Sequence, residues 1–351
     1  MNWQELSLDQ RRTFIDASQL YEEWLRLERR AGELRGGMIW KTVGGREYLI
    51  RTLDRSGHVR SLGVRTPETE QRYSEFLRAK DDVKKRRAGL REQLRRATRF
   101  CVAAGVNRVP RLPANIIRLL DRAGLLGANL IILGSHALYA YEAACGVQIE
   151  SKFLQTDDPD ALFDTEAELN LAGSYNPAGL LEILRKADKS FTPQAKRGFR
   201  AVNDKGFLVD LLRAPLASPR RVSVGASDDL IAEPLPGLNW LVLSPRMEQI
   251  VIGKDGFPLR FIVPEPRIFA LHKLWLSVKA SRQPIKRKRD FRQGELVAEL
   301  AATYLGLSFD EAFAATLPAE LRSHIPGLKG RLRNHLTLAP PSLPPGFEVE
   351  P

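Results

Sequence analysis

Asn129-Leu130-Ile131-Ile132-Leu133-Gly134-Ser135, continuing into His136-Ala137-Leu138-Tyr139-Ala140-Tyr141-Glu142 and ending at Cys145-Gly146, is the stretch that decides how this chain is read. Residues 129–133 form an apolar run of strand length, too short for a buried helix. Gly134-Ser135 interrupts it, and His136 to Cys145 reads as a helix closed by Gly146. A strand that delivers Gly-Ser to a helix start presents unpaired backbone N–H groups and the positive end of the helix dipole. Glycine permits close backbone approach and Ser135 adds a hydroxyl donor, so the turn is suited to a phosphate. The same dipeptide is also an ordinary strand-to-helix connection, so its meaning depends on what else the chain supplies.

Two further segments supply carboxylates. Thr156-Asp157-Asp158-Pro159-Asp160 places Asp158 and Asp160 at i and i+2, on one face of an extended backbone. Like charges so close need a bridging cation, and hard divalent ions take carboxylate oxygens. Downstream, Asp210 interrupts the apolar stretch Phe207-Leu208-Val209-Asp210-Leu211-Leu212. A carboxylate inside a buried strand is costly without a partner, which favours a functional use. An anion-binding turn, a same-face acid pair and a lone acid on a later strand are the components of two-metal phosphoryl transfer.

Working outward, residues 8–35 read as a helix with Phe14, Leu20, Tyr21, Trp24 and Leu25 at helical spacing. Alternating residues 38–43 and 47–51 flank Gly44-Gly45 and read as a hairpin. Thr66 as N-cap with Pro67 at the first helical position opens a second helix. Small and basic residues with two prolines over 105–113 mark a boundary. Beyond it the reading gives a helix at 114–122, strands at 150–155, 200–202 and 206–212, and a helix at 177–187. Strands near 240–243 and 259–263 follow, then helices at 268–278 and 291–305. The resulting division is an N-terminal helical region with a hairpin at about 37–63 (1–104), an α+β core (105–265), a C-terminal helical region (266–338) and a flexible Pro-rich tail (339–351).

The 351 residues suffice for two or three compact units, and 43% hydrophobic against 27% charged is the balance of a folded chain. Cys101 and Cys145 have neither zinc-site spacing nor the number for a disulfide framework. The polar start Met1-Asn2-Trp3-Gln4-Glu5 is unlike a signal peptide, and the most apolar window, 125–147, contains His136, Glu142 and several glycines. The expectation is a cytoplasmic protein without a membrane partner. A net charge of +12 invites a polyanion. It concentrates in two places: ten Lys or Arg against three acids over 78–99, and Arg282, Lys286, Arg287, Lys288, Arg289 and Arg292 against Asp290 over 282–292. The first run reads equally as a phosphate-contacting helix or a solvated helix face.

The order Leu133-Gly134-Ser135, Thr156-x-Asp158-x-Asp160 and Asp210 in an apolar strand resembles the DNA polymerase β-like nucleotidyltransferase superfamily. More closely, the chain is similar to a bacterial nucleotidyltransferase-like family with segments like Ser61-Leu62-Gly63, Thr66-Pro67-Glu68-Thr69-Glu70, Gly134 to Glu142, Leu184 to Phe191 and Phe269-Ala270-Leu271-His272-Lys273-Leu274. The resemblance runs from about residue 20 to 305. It implies a mixed-sheet nucleotidyltransferase core with flanking N-terminal helix-and-hairpin and C-terminal helical regions. It further implies that Gly134 and Ser135 hold a triphosphate, that Asp158, Asp160 and Asp210 bind Mg²⁺ or Mn²⁺, and that a nucleoside monophosphate passes from an NTP to an acceptor. Pro159 departs from the aliphatic residue common between the paired acids and removes a ladder donor. Lys273, within the apolar helix 268–278, is a candidate triphosphate contact or a lysine at a helix rim. His136, Arg185 and Lys186 are weaker candidates of the same kind. The basic runs favour RNA, tRNA included, as acceptor. A non-catalytic nucleic-acid-binding or regulatory protein with the same fold, and a small-molecule adenylyltransferase, are the alternatives.

Overall fold

The computed structural model describes residues 2–52, 58–154, 168–173, 179–196, 198–215 and 229–336. Asp158, Pro159, Asp160, Pro177 and the tail 339–351 lie outside the described residues. By internal packing the chain forms two compact units, one of Asp9–Asn107 with Asp255–Pro258, the other of Met1–Leu8, Arg108–Lys254 and Leu259–Pro351.

After a short strand β1 (Trp3–Glu5), which belongs to the larger unit, comes α1 (Leu8–Glu33), with Ala17, Tyr21 and Leu27 buried at helical spacing. The strands β2 (Gly37–Val43), β3 (Arg46–Thr52) and β4 (Val59–Val64) form an antiparallel sheet in that order. Helix α2 (Pro67–Ala103) starts where the sequence predicts: the Thr69 amide donates to Thr66 Oγ1 at 3.3 Å and the Thr66 amide donates to Thr69 Oγ1 at 2.8 Å. Its Phe76 and Val83 pack with Leu34 in a small core of this unit.

The larger unit begins with α3 (Arg111–Arg122), whose Ile116, Ile117 and Leu120 are fully buried. Next come β5 (Leu130–Leu133), a single 3₁₀ turn at Gly134–Ala137, α4 (Leu138–Cys145), and β6 (Val147–Ile149), which pairs with β1. Then follow α5 (Ser151–Leu154), β7 (Glu168–Gly173), α6 (Leu180–Ala187), β8 (Thr192–Pro193), β9 (Arg200–Val202), β10 (Leu208–Arg213) and β11 (Glu233–Pro234). The central sheet has the order β5-β7-β10-β9-β8, with β11 added to β10. It is mixed, because β7 and β11 run parallel to β10 while the other pairs are antiparallel. Its residues Leu169, Leu171, Val209 and Leu211 are completely buried, as expected of strands covered on both faces.

Helix α7 (Leu238–Val242) leads to the hairpin β12 (Arg246–Ile252) and β13 (Pro258–Pro264). The C-terminal helices are α8 (Pro266–Ser277), α9 (Pro284–Tyr304), α10 (Glu311–Ala315), α11 (Ala319–Arg322) and α12 (Ile325–Leu336). The architecture is the expected α+β class with a mixed sheet. Two expected strands are helical instead: 150–155 contributes α5, and 240–243 lies largely in α7. Trp240 to Leu243 is a four-residue apolar run that fits one helical turn as well as a strand, and Ser151 to Leu154, with only Phe153 and Leu154 apolar, is as short and has no alternation to hold it extended. Among the described residues no helix is long and apolar enough to cross a membrane.

Candidate active site

The central sheet aligns the Gly-Ser turn and Asp210 along one row. Leu133 at the end of β5 pairs with Asn170 on β7, Asn170 with Asp210 on β10, and Asp210 with Arg200 on β9. With neighbouring strands about 4.8 Å apart, the row crosses four strands. Gly134 leaves β5 at φ +65°, a region that side chains rarely enter, and a Cβ there would come within 2.8 Å of Asn170 Nδ2. Both conformation and space therefore require glycine at this point.

Asp210 is 4% exposed and is gripped by Arg200 in a two-pronged ion pair, Nε to Oδ1 at 2.6 Å and a terminal nitrogen to Oδ2 at 2.7 Å. The expected carboxylate in the buried strand is thus present, and its charge is balanced by an arginine ten residues earlier. Ser135 is held from the C-terminal helices: Gln293 Nε2 on α9 donates to its hydroxyl at 2.9 Å and to the Phe153 carbonyl at 2.7 Å. Gln293 is fully buried, so this contact fixes the turn against α9 and α5.

Lys273 is buried and donates to Asp290 at 2.7 Å, while Arg282 Nε reaches the other oxygen of the same carboxylate at 2.8 Å. Burial by itself would raise the Asp290 carboxyl, but Lys273 and Arg282 hold it below its ordinary value. Half-buried Arg289 has its Nε enclosed without a hydrogen-bond partner, and its charge bears on Lys273. Two cations therefore hold one carboxylate, on the helix that also carries Gln293. Helices α8 and α9 approach closely because Gly294 faces the Ala270 carbonyl, where a Cβ would stand at 2.9 Å. Next to Lys273, burial pushes His272 down to about 3, assisted by Lys273 and Arg282 against Asp290, so it is neutral between Trp240 and Trp275.

The weaker candidates are engaged locally. His136 leans on Tyr139 with ring centroids 6.0 Å apart. Arg185 Nε donates to the Phe191 carbonyl, and Lys186 pairs with Glu182 one turn away. Glu142 is a strut: buried, it accepts two hydrogen bonds from Arg108 at 2.9 and 3.0 Å and one from the Ile149 amide at 2.7 Å. Sequence reasoning does not single out Asn170, Arg200, Asp290 or Gln293. Of these, Gln293 and Asp290 alone carry a signal, as polar residues on the inward side of an otherwise apolar helix face.

Oxygen donors of the kind a hard divalent ion takes are present at Asp210 and Asn170. Both Asp210 oxygens accept from Arg200, so an ion held there would share the carboxylate with the guanidinium. Among the described residues no three His, Cys, Asp or Glu gather into a cluster, and Asp158 and Asp160 lie outside them.

Compared with known proteins, residues 111–318 match a family model described as nucleotidyltransferase. That stretch, well over half of the chain, contains the Gly-Ser turn, Asp210, Lys273, Asp290 and Gln293. No curated protein and no solved structure matches.

Proposed function

Since the chain belongs to the nucleotidyltransferase family, we propose that it transfers a nucleoside monophosphate from an NTP to a nucleic-acid acceptor, RNA foremost, and releases pyrophosphate. The observation that carries this reading is the row from Gly134 through Asn170 to Asp210, with Ser135 fixed by Gln293. It joins a strand-end anion turn to a buried carboxylate within one sheet. The order of these motifs supports membership of the DNA polymerase β-like superfamily, in its bacterial branch.

In this scheme Gly134 and Ser135 receive the triphosphate, and the positive cluster of Lys273, Arg282 and Arg289 biases the neighbouring α9 region toward anions. Lys273, committed to Asp290, acts through that field more than by direct reach. Asp158, Asp160 and Asp210 would hold Mg²⁺ or Mn²⁺, which when bound activates an attacking hydroxyl and neutralises phosphate charge. The acceptor oxygen forms a bond to the α-phosphorus as the bond to the bridging oxygen breaks, and the hydroxyl proton leaves to solvent. Arg200 keeps the Asp210 carboxylate oriented. Two free, buried thiols, Cys101 and Cys145, agree with action in the cytoplasm.

Incubation with each α-labelled NTP, Mg²⁺ and cellular RNA tests the reading. Label is expected in RNA with the wild type and is lost in Asp210→Asn and in Asp158→Asn. Absence of transfer from every NTP to RNA, DNA, protein and small hydroxyl compounds would overturn it.

A further inference from the structure

The two basic runs look alike in sequence and differ in the folded chain. Along α2 five of the ten cations in the run already have acids. Lys85 pairs with Asp81 at 2.7 Å, Arg86 with Glu23 at 2.9 Å, Arg87 with Glu28 at 2.6 Å, and Arg95 and Arg96 share Glu92 at 2.8 and 3.4 Å. Lys80 donates to the Gly36 carbonyl. Half of this run is therefore paired within its own unit.

At the start of α9 the situation is reversed. Lys286, Arg287, Lys288 and Arg292 make no ion pair with any described residue, and the acid among them, Asp290, is consumed by Lys273 and Arg282. Cations in the first turns of a helix also oppose its dipole, where acids would be favourable. Uncompensated charge at an unfavourable end is a cost that an anionic partner removes. Here the charge lines an open cavity at the surface: Ser277, Val278, Pro284, Arg287, Lys288, Phe291 and Arg292 border a volume of 410 Å³, within the range of about 300–1,000 Å³ usual for ligand pockets. Phe291 and Val278 stay 38% and 65% exposed in it, giving an aromatic and apolar floor among three cationic side chains.

We propose that this cavity between α8 and α9 is a subsite for one nucleotide of a single-stranded nucleic acid, with Arg287, Lys288 and Arg292 on backbone phosphates and Phe291 against the base. The size suits a single nucleotide and not the face of a duplex, and the pairing of aromatic ring with cationic rim is what sequence-tolerant strand binding uses. The inference rests on the reading of the acceptor as a nucleic acid and adds where that acceptor is held: on α9, not along α2.

Fluorescence anisotropy with a labelled 20-nucleotide RNA and the matching DNA, between 50 and 200 mM KCl, tests it on the full chain. In Arg287→Gln/Lys288→Gln/Arg292→Gln the affinity is expected to fall at least tenfold at 50 mM KCl. The slope of log affinity on log salt is expected to flatten by about 0.7 for each phosphate that the variant no longer neutralises. Phe291→Leu weakens binding about tenfold with an unchanged slope, as removal of a stacking ring would. The control Lys84→Gln/Arg91→Gln/Arg99→Gln, which removes α2 charges that pair with no acid among the described residues, leaves affinity within twofold. Circular dichroism confirms that each variant is folded. RNA affinity that survives the α9 substitutions but falls with the α2 control overturns the subsite while leaving the acceptor reading intact. Failure of the wild type to bind either strand overturns both. If the α9 variants lose ATP affinity and keep strand affinity, the cavity takes the nucleoside triphosphate instead, and the proposal fails. Comparing RNA with DNA separates the two sources of the same phosphodiester chemistry.

Discussion

At the residue scale the site turns on Gly134, Asp210 and Arg200. Gly134→Ala places a Cβ against Asn170 and forces φ +65° on a side-chain residue, so a loss of about 1–3 kcal/mol in unfolding free energy is expected. Adding Asn170→Ala relieves the 2.8 Å contact and leaves the conformational strain. Chemical denaturation should therefore show partial recovery in the double variant, and full recovery would mean that the backbone conformation costs nothing. Arg200→Met strands the buried Asp210 charge and is expected to cost about 3–5 kcal/mol, whereas Arg200→Met/Asp210→Leu should restore much of it. The sequence displays Gly134 and Asp210 because each breaks the pattern around it. It hides Arg200 and Asn170, since strand register is a property of the assembled sheet and an arginine at a strand end looks like any solvated one.

Helices α8 and α9 set the next scale. Their buried charges are legible in sequence only as types: Lys273 stands out against an apolar helix and reads as a phosphate contact, while the Asp290 that holds it reads as the lone acid of a basic run. Removing Asp290 leaves the buried Lys273 and the half-buried Arg282 unopposed, but removing Lys273 still leaves Arg282 on Asp290. Asp290→Asn is therefore expected to destabilise more than Lys273→Met, by at least about 2 kcal/mol in urea titrations. His272 gives the pair a pH signature. Its folded value of about 3 lies below the ordinary 6.5, so the unfolded chain binds the extra proton and stability falls as pH drops from 6.5 towards 3. Lys273 and Arg282 push in the same direction and Asp290 against it. Between pH 6.5 and 5, above most carboxylate titrations, the wild type should lose up to about 1.4 kcal/mol per pH unit, and His272→Phe should flatten that slope. An unchanged slope would place the neutral histidine elsewhere. Periodicity and capping locate α1, α2, β5, α4 and β10 well, since those elements carry long patterns or explicit start signals. The short segments at 150–155 and 240–243 carry neither, and tertiary packing chooses their form.

For the whole molecule, two compact units imply two unfolding transitions in calorimetry, each with its own reporter. Thr66→Ala deletes the α2 cap and is expected to lower the transition of the unit built from residues 9–107 by about 1 kcal/mol. Gly134→Ala lowers the transition of the unit that contains the sheet and α9. A ligand that binds only folded protein stabilises by RT ln(1 + [L]/Kd), about 2.7 kcal/mol at a hundredfold excess over Kd. If strands bind at α9, a saturating RNA oligonucleotide raises the transition marked by Gly134→Ala and leaves the one marked by Thr66→Ala in place. Because the attraction is carried by displaced counterions, 1 M KCl should erase the shift. The net charge of +12 by itself predicts a diffuse effect on both transitions, so a shift confined to one of them reports where uncompensated charge resides. A shift confined to the transition marked by Thr66→Ala would instead assign strand binding to α2, despite the ion pairs along it.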